Sequence, residues 1–240
     1  MELTNLTEDN IERAVELVFT QENNFNSVEE AYQKLARVFY ENFGSSLNKS
    51  EVVLSRVYHS FDFQVLPQEL QSITKEIWGE QVKDTSKILV LMGTYGQEEA
   101  WRDRKQSKGH KAILLSKETL ERIPMVARLI QQIGFDIGLL LGHEEGIDYE
   151  GIAGTFGVFY VSSAQGSPYI PAQDFVEQYK VQSVIGTGVM LPQGDISVYL
   201  AFTRVPIKSE VAANIAPLMS IFWQKAYFLL EKYGMFNLNQ

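Results

Sequence analysis

The stretch Asp174 to Val205, DFVEQYKVQSVIGTGVMLPQGDISVYLAFTRV, decides the reading of the fold. Its first residues complete a short helical pattern that starts at Ala172 and ends at Tyr179. Ser183 to Leu191 and Ile196 to Val205 are rich in β-branched and large apolar residues, and Pro192-Gln-Gly-Asp195 between them is a hairpin signal. Helix, strand, tight turn and strand in that order predict the antiparallel part of a mixed domain. Upstream, Gly157 to Ser162 (GVFYVS) reads as another strand, and Gly166-Ser-Pro-Tyr-Ile-Pro171 as a Pro-bounded loop. Lys87 to Tyr95 (KILVLMGTY) is apolar on both faces, which places a strand in the middle of a sheet. Strand signals also begin at Glu51, with Val52, Val53, Leu54, Val57 and Tyr58, and Ala112 to Leu115 suits a short edge strand.

The flanking segments are helical. Thr7 is placed to cap a helix carrying Ile11, Ala14, Val15 and Val18 on one side. Ser27-Val-Glu-Glu30 has capping-box spacing ahead of Ala31, Leu35, Val38, Phe39 and Phe43, and Gly44 is a stop signal. Pro67 opens a short helix with Leu70, Ile73 and Ile77 on its buried side. Ser116 starts a helical stretch to about Ile133 that Pro124 interrupts, and Gly138 to Gly157 reads as a glycine-rich loop. Ser209 to Tyr233 is the last helix, with Pro217 near its first third. The domain reading is an N-terminal helical extension over residues 1–26 and one sheet-containing domain over 27–240.

Composition narrows the function classes. The 240 residues are 45% hydrophobic and 21% charged, which is ordinary globular usage. The formal charge is −9, with 21 Lys and Arg against 30 Asp and Glu, and the pI is about 4.9. A field of that sign disfavours phosphate backbones and anionic lipid. The absence of cysteine removes disulfides, thiol nucleophiles, thiolate metal sites and thioether-linked chromophores. Three histidines, His59, His110 and His143, form no local metal motif. The N-terminus lacks a basic region followed by an apolar stretch, and no apolar run reaches the ~18–20 residues of a membrane span. These features predict a soluble, cytoplasmic protein that engages neither nucleic acid nor membrane.

The order of elements resembles the GAF domain family. Asp174 to Gly186 is similar to the place where a GAF helix ends and a strand re-enters the sheet. Val189-Met-Leu-Pro-Gln-Gly-Asp195 resembles the family's hairpin, Val198 to Phe202 its next central strand, and Arg204-Val-Pro-Ile207 the exit into a helix. Lys87 to Gly93 and Gly157 to Ser162 fall where two further strands belong, so the resemblance spans residues 28–233. Trp101-x-Asp103-Arg104 and Lys108-Gly-His110 are similar to a bacterial subgroup in which a GAF-like module precedes signalling output domains. The resemblance implies an α/β (α+β) fold with a central antiparallel sheet of five or six strands and the terminal helices packed on one face. It implies a pocket on the other face, under residues 97–134 and 163–175. Departures matter too. Sulfoxide reduction and covalent bilin attachment in this family need cysteine, and Asn48-Lys49 is a poor match to the cyclic-nucleotide motif.

Candidate functional residues follow from residue type. Arg102, Arg104, Lys105, Lys108, His110 and Lys111 crowd one segment of an acidic chain. One reading is an anion-recognising lid, since Arg offers planar bidentate donors and Trp101 is suited to stacking on a flat ligand. The other is a solvated loop whose charges Glu98, Glu99 and Asp103 absorb. His110 is a haem or metal ligand on one reading and a turn residue on the other. Tyr169 points into a pocket or caps the core, and Asp174 suits the N-terminus of its helix. His59 and His143 read as structural or exposed. No nucleophile–base pair, nucleophile elbow or P-loop is present, so the reading is a non-catalytic sensor that binds a small molecule through Trp101, Arg104, His110 and Tyr169, with no metal site assigned and the cofactor left open. The alternative is a protein-interaction or dimerisation scaffold of the same fold that binds nothing.

The last helix supplies the partner prediction. Ile215, Met219, Phe222, Ala226, Leu229 and Tyr233 form one apolar stripe, and Ala212, Ala216, Trp223 and Leu230 another. One stripe covers the sheet. The other is covered by the N-terminal helices or by a second copy, and a symmetric homodimer through Ile215, Met219, Phe222, Trp223, Ala226, Leu229 and Leu230 is expected. If the 240 residues are the whole protein, its signal passes to a partner protein.

Overall fold

A computed structural model describes residues 1–20, 24–45, 49–107, 109–133 and 157–237. Eight α-helices are described: α1 (Glu8–Val18), α2 (Val28–Asn42), α3 (Gln68–Trp78), α4 (Lys117–Arg122), α5 (Pro124–Ile133), α6 (Gln173–Tyr179), α7 (Ser209–Ala212) and α8 (Leu218–Tyr233). Six strands make the main sheet: β1 (Val52–Asp62), β2 (Lys87–Gly96), β3 (Ala112–Leu114), β4 (Val158–Val161), β5 (Ser183–Met190) and β6 (Ile196–Thr203). A further two-residue ribbon pairs Gly44–Ser45 with Lys49–Ser50. The main sheet is antiparallel throughout, in the order β3-β2-β1-β6-β5-β4. The fold is α+β, the class expected from the sequence.

Alternation along the strands sorts two cores. On β1, Ser55, Val57, His59 and Phe61 face one side, and Leu54, Arg56 and Tyr58 the other. The first side is covered by α1, α2 and α8, which share one apolar cluster with Val57, Ile88, Val90, Met92, Ile185 and Tyr199. The second is covered by α4, α5 and α6, whose Leu120, Val126, Leu129, Ile130 and Val176 pack with Leu89, Leu91, Val184 and Val198. The terminal helices therefore lie together on one face. Helix α1 is part of that layer, because Ile11, Ala14, Val15 and Val18 are fully buried in the same cluster.

Local chemistry sets the helix ends. Thr7 and Asn10 form a reciprocal capping box at α1. Ser27 accepts from the Glu30 N–H at α2, while the Glu30 carboxylate reaches one residue further back, to the Asn26 N–H. Gly93 on β2 lets α2 lie directly on the sheet: a Cβ there would collide with the backbone at Tyr32 and Gln33.

Two boundaries differ from the sequence expectation. The last helix is split into α7, a 3-10 turn at Ala213–Ile215 and α8, because Pro217 has no N–H to continue the ladder. On α3, Leu70 and Thr74 are buried, whereas Ile77 is 52% exposed, since the helix overhangs the edge strand β3. Of the two readings of His59, structural or exposed, the structure gives the first: it sits within β1 and is fully buried. The expected loop from Gly138 to Gly157 lies outside the described residues except at Gly157, as does His143.

The residues expected to pair two copies are covered within the chain. Ile215, Met219, Phe222 and Ala226 are fully buried, Trp223 and Leu229 nearly so, and Leu230 packs against the same cluster. Phe222 stacks on Tyr32 of α2 at a centroid distance of 4.9 Å and meets Phe19 at 5.4 Å. Trp223 of the second stripe also meets Tyr32, at 6.0 Å, so α2 touches residues of both stripes. The exposed aromatic residues of α8 are Tyr227, Phe228 and Tyr233, on its outer side.

Candidate ligand site

A cavity of about 410 Å³ opens on the sheet face away from the terminal helices. Its floor is alternate residues of the two central strands: Leu54, Arg56 and Tyr58 from β1, and Leu200 and Phe202 from β6. Trp101 and His110 wall one side, Ile123 and Met125 at the α4–α5 junction another, and Ile170, Pro171, Ala172 and Phe175 a third. This volume lies within the roughly 300–1,000 Å³ of small-molecule sites, and the lining has their usual mixture of apolar bulk with a few polar groups.

Trp101 is held by aromatic edges. Its ring meets Tyr179 at 4.7 Å and Phe175 at 5.7 Å, and Phe175 meets Phe202 at 5.4 Å. Gly96 makes room for it, since a Cβ there would lie 2.9 Å from the Trp101 ring. His110 adopts a positive φ of 57° at the cavity rim. Partial desolvation at the rim, and then the charge of Arg56, lower its pKa, which favours the neutral imidazole.

Arg56 is the cation of the cavity, and the sequence reading passed over it. Its Nη1 donates to the Tyr58 hydroxyl at 3.1 Å and its Nη2 to the Ser107 hydroxyl at 3.4 Å. Its Nε is buried without a hydrogen-bond partner. Among the described residues no carboxylate forms an ion pair with it. A signal was present in VVLSRVYHSF: an arginine that shares a strand face with Leu54 and Tyr58 demands a polar purpose.

The other sequence candidates divide. Trp101 and His110 line the cavity. Arg104 does not; its Nε donates to the Glu29 carboxylate of α2, and both side chains are largely buried there. Tyr169 does not line it either, because the Arg128 guanidinium lies 3.8 Å over its ring and holds it against α5. Arg102 donates to the Gly96 and Gln97 carbonyls, and Lys111 to the Lys105 carbonyl. Arg102, Arg104 and Lys111 are thus tied to nearby backbone or to α2.

That segment joins the two faces of the sheet. Gln33 of α2 donates to the carbonyls of Thr94 and Arg102, at 2.7 and 2.9 Å, and accepts from the Thr94 N–H. The start of α2 continues the connection: Val28 and Glu29 N–H donate to the Gly234 and Met235 carbonyls just beyond α8. Among the described residues no group of three or more His, Asp or Glu side chains is placed to hold a metal ion, and no helix is long and apolar enough to cross a membrane.

The chain matches no model of a known protein family and no curated protein.

Proposed function

We propose that the chain is a GAF-like, non-catalytic sensor module that binds a small molecule in the cavity over β1 and β6. The observation that carries this reading is the double attachment of residues 101–110. Trp101 and His110 wall the cavity, while the Arg102 carbonyl and the Arg104 side chain are held by Gln33 and Glu29 of α2. A ligand that moves Trp101 therefore acts on the start of α2, and through it on the chain beyond α8. The output is read by a partner protein or a linked domain at the terminal helices. Such coupling requires that the ligand bind one arrangement of these helices better than another.

A thermal-shift screen against small metabolites tests the proposal. A true ligand at one hundred times its Kd adds about 2.7 kcal/mol. In a protein of this size that raises the midpoint by about 5–10 °C, and the rise grows with concentration. If no compound shifts the midpoint and none enters the cavity, the protein is an interaction scaffold of the same fold.

A further inference from the structure

We infer that the cavity takes a small organic oxyanion with a flat apolar body, its anionic head held by Arg56; this rests on the reading of the cavity as a ligand site. Arg56 differs from the paired cations of the described residues. Arg37 pairs with Glu41, Lys87 with Asp62 and Asp195, and Arg104 with Glu29. Among the described residues Arg56 meets only two neutral hydroxyls, on the sheet face it shares with Leu54 and Tyr58. Its side chain is half-buried with the Nε closed off from water, and a charge partly withdrawn from water without a counter-charge is destabilised, which a bound anion relieves.

The donor geometry favours an oxyanion. Arginine has five N–H donors in one plane. The Tyr58 and Ser107 hydroxyls engage one each, and the buried Nε has none engaged. Each of Nη1 and Nη2 keeps a second N–H, and the end of the guanidinium can give these two to a carboxylate or sulfonate as parallel bonds. His110 lines the same cavity and adds a hydrogen-bonding ring nitrogen beside Arg56.

The remaining lining selects the body. Leu54, Leu200, Phe202, Trp101 and Phe175 offer apolar and aromatic surface. The polar side chains at the cavity are few: Arg56, Tyr58, His110 and the indole N–H of Trp101. A sugar or a nucleotide would leave many of its own polar groups unmatched there. A ring or fused-ring acid would not.

A matched probe pair tests the inference. Anilinonaphthalene sulfonate and N-phenylnaphthylamine share one aromatic body and differ in the anionic head. Their affinities are measured by fluorescence titration on the wild type, on Arg56→Met, and on Ala172→Trp, which plugs the exposed rim of the cavity. The sulfonate is expected to bind the wild type at least tenfold more tightly than the neutral amine. Arg56→Met is expected to abolish that preference while leaving the amine affinity within about twofold, and Ala172→Trp to weaken both probes. Equal affinity of the two probes for the wild type, with both blocked by Ala172→Trp, overturns the anion assignment and leaves the cavity a ligand site. Failure of both probes to bind, or binding that Ala172→Trp does not touch, overturns the ligand-site reading as well. The wild-type comparison and the plug decide the matter even if Arg56→Met does not fold.

Discussion

Arg104, in the segment that walls the cavity, is ion-paired with Glu29 in the first turn of α2 on the opposite side of the sheet. Glu29 is also held through its backbone N–H by the Met235 carbonyl beyond α8. One residue therefore meets both the cavity wall and the C-terminal segment.

Breaking that pair has a measurable cost. Both side chains are largely withdrawn from water, so removing either charge leaves the other poorly solvated. Glu29→Gln and Arg104→Gln are each expected to lose about 2 kcal/mol in urea unfolding, below the ~3–5 kcal/mol of a fully buried pair. The double variant is expected to lose clearly less than the sum. Additive losses would mean that the two residues do not interact in solution.

Gly93→Ala tests the contact between α2 and the sheet. The added methyl meets the α2 backbone at Tyr32 and Gln33, which no side-chain rotation relieves. A loss of about 2–3 kcal/mol is expected, at the upper end of overpacking effects. Gly109→Ala, where nothing lies within 4 Å of the new atom, is the comparison and is expected to change stability by less than about 0.5 kcal/mol.

His59 imposes an acid limit. Its Nδ1 shares a hydrogen bond with the Tyr32 hydroxyl at 3.0 Å, and its Nε2 is buried without a partner. Burial, reinforced by Lys87, pushes its pKa down to about 3. The unfolded chain titrates near 6.5, so between those values it binds a proton that the folded state refuses. Stability is complete above pH 6.5 and falls as the pH drops towards 3, by up to about 1.4 kcal/mol per unit. His59→Gln is expected to flatten this part of the stability profile. Parallel profiles for the two proteins would contradict the assignment.

The inner face of α8 is assigned to the chain's own core. Phe222→Ala is expected to cost about 3–5 kcal/mol. The unfolding midpoints of wild type and variant are expected to be independent of protein concentration. A midpoint that rises with concentration would place a subunit interface in the folding equilibrium.

Much of this architecture was legible in the residues. The hairpin at Pro192 to Asp195, the edge strand at Ala112 and the break at Pro124 are local signals, and each appears where the sequence placed it. The covering of α8 was not legible, because hydrophobic stripes do not say which element meets them. The site was half legible. Trp101 and His110 reach the cavity, but Arg104 and Tyr169 are claimed by Glu29 and Arg128, which lie 75 and 41 positions away in sequence. Arg56 is a single charge between Leu54 and Tyr58 on one strand face, and such an isolated charge marks the cavity better than the dense cationic cluster does.

Hydrogen–deuterium exchange with saturating anilinonaphthalene sulfonate tests the central claim most directly, namely that occupancy of the cavity reaches α2. The account predicts slower exchange both in residues 99–107 and in the first half of α2, with the α2 response lost in Arg104→Gln. Protection confined to the cavity lining, with α2 unchanged in the wild type, would contradict it.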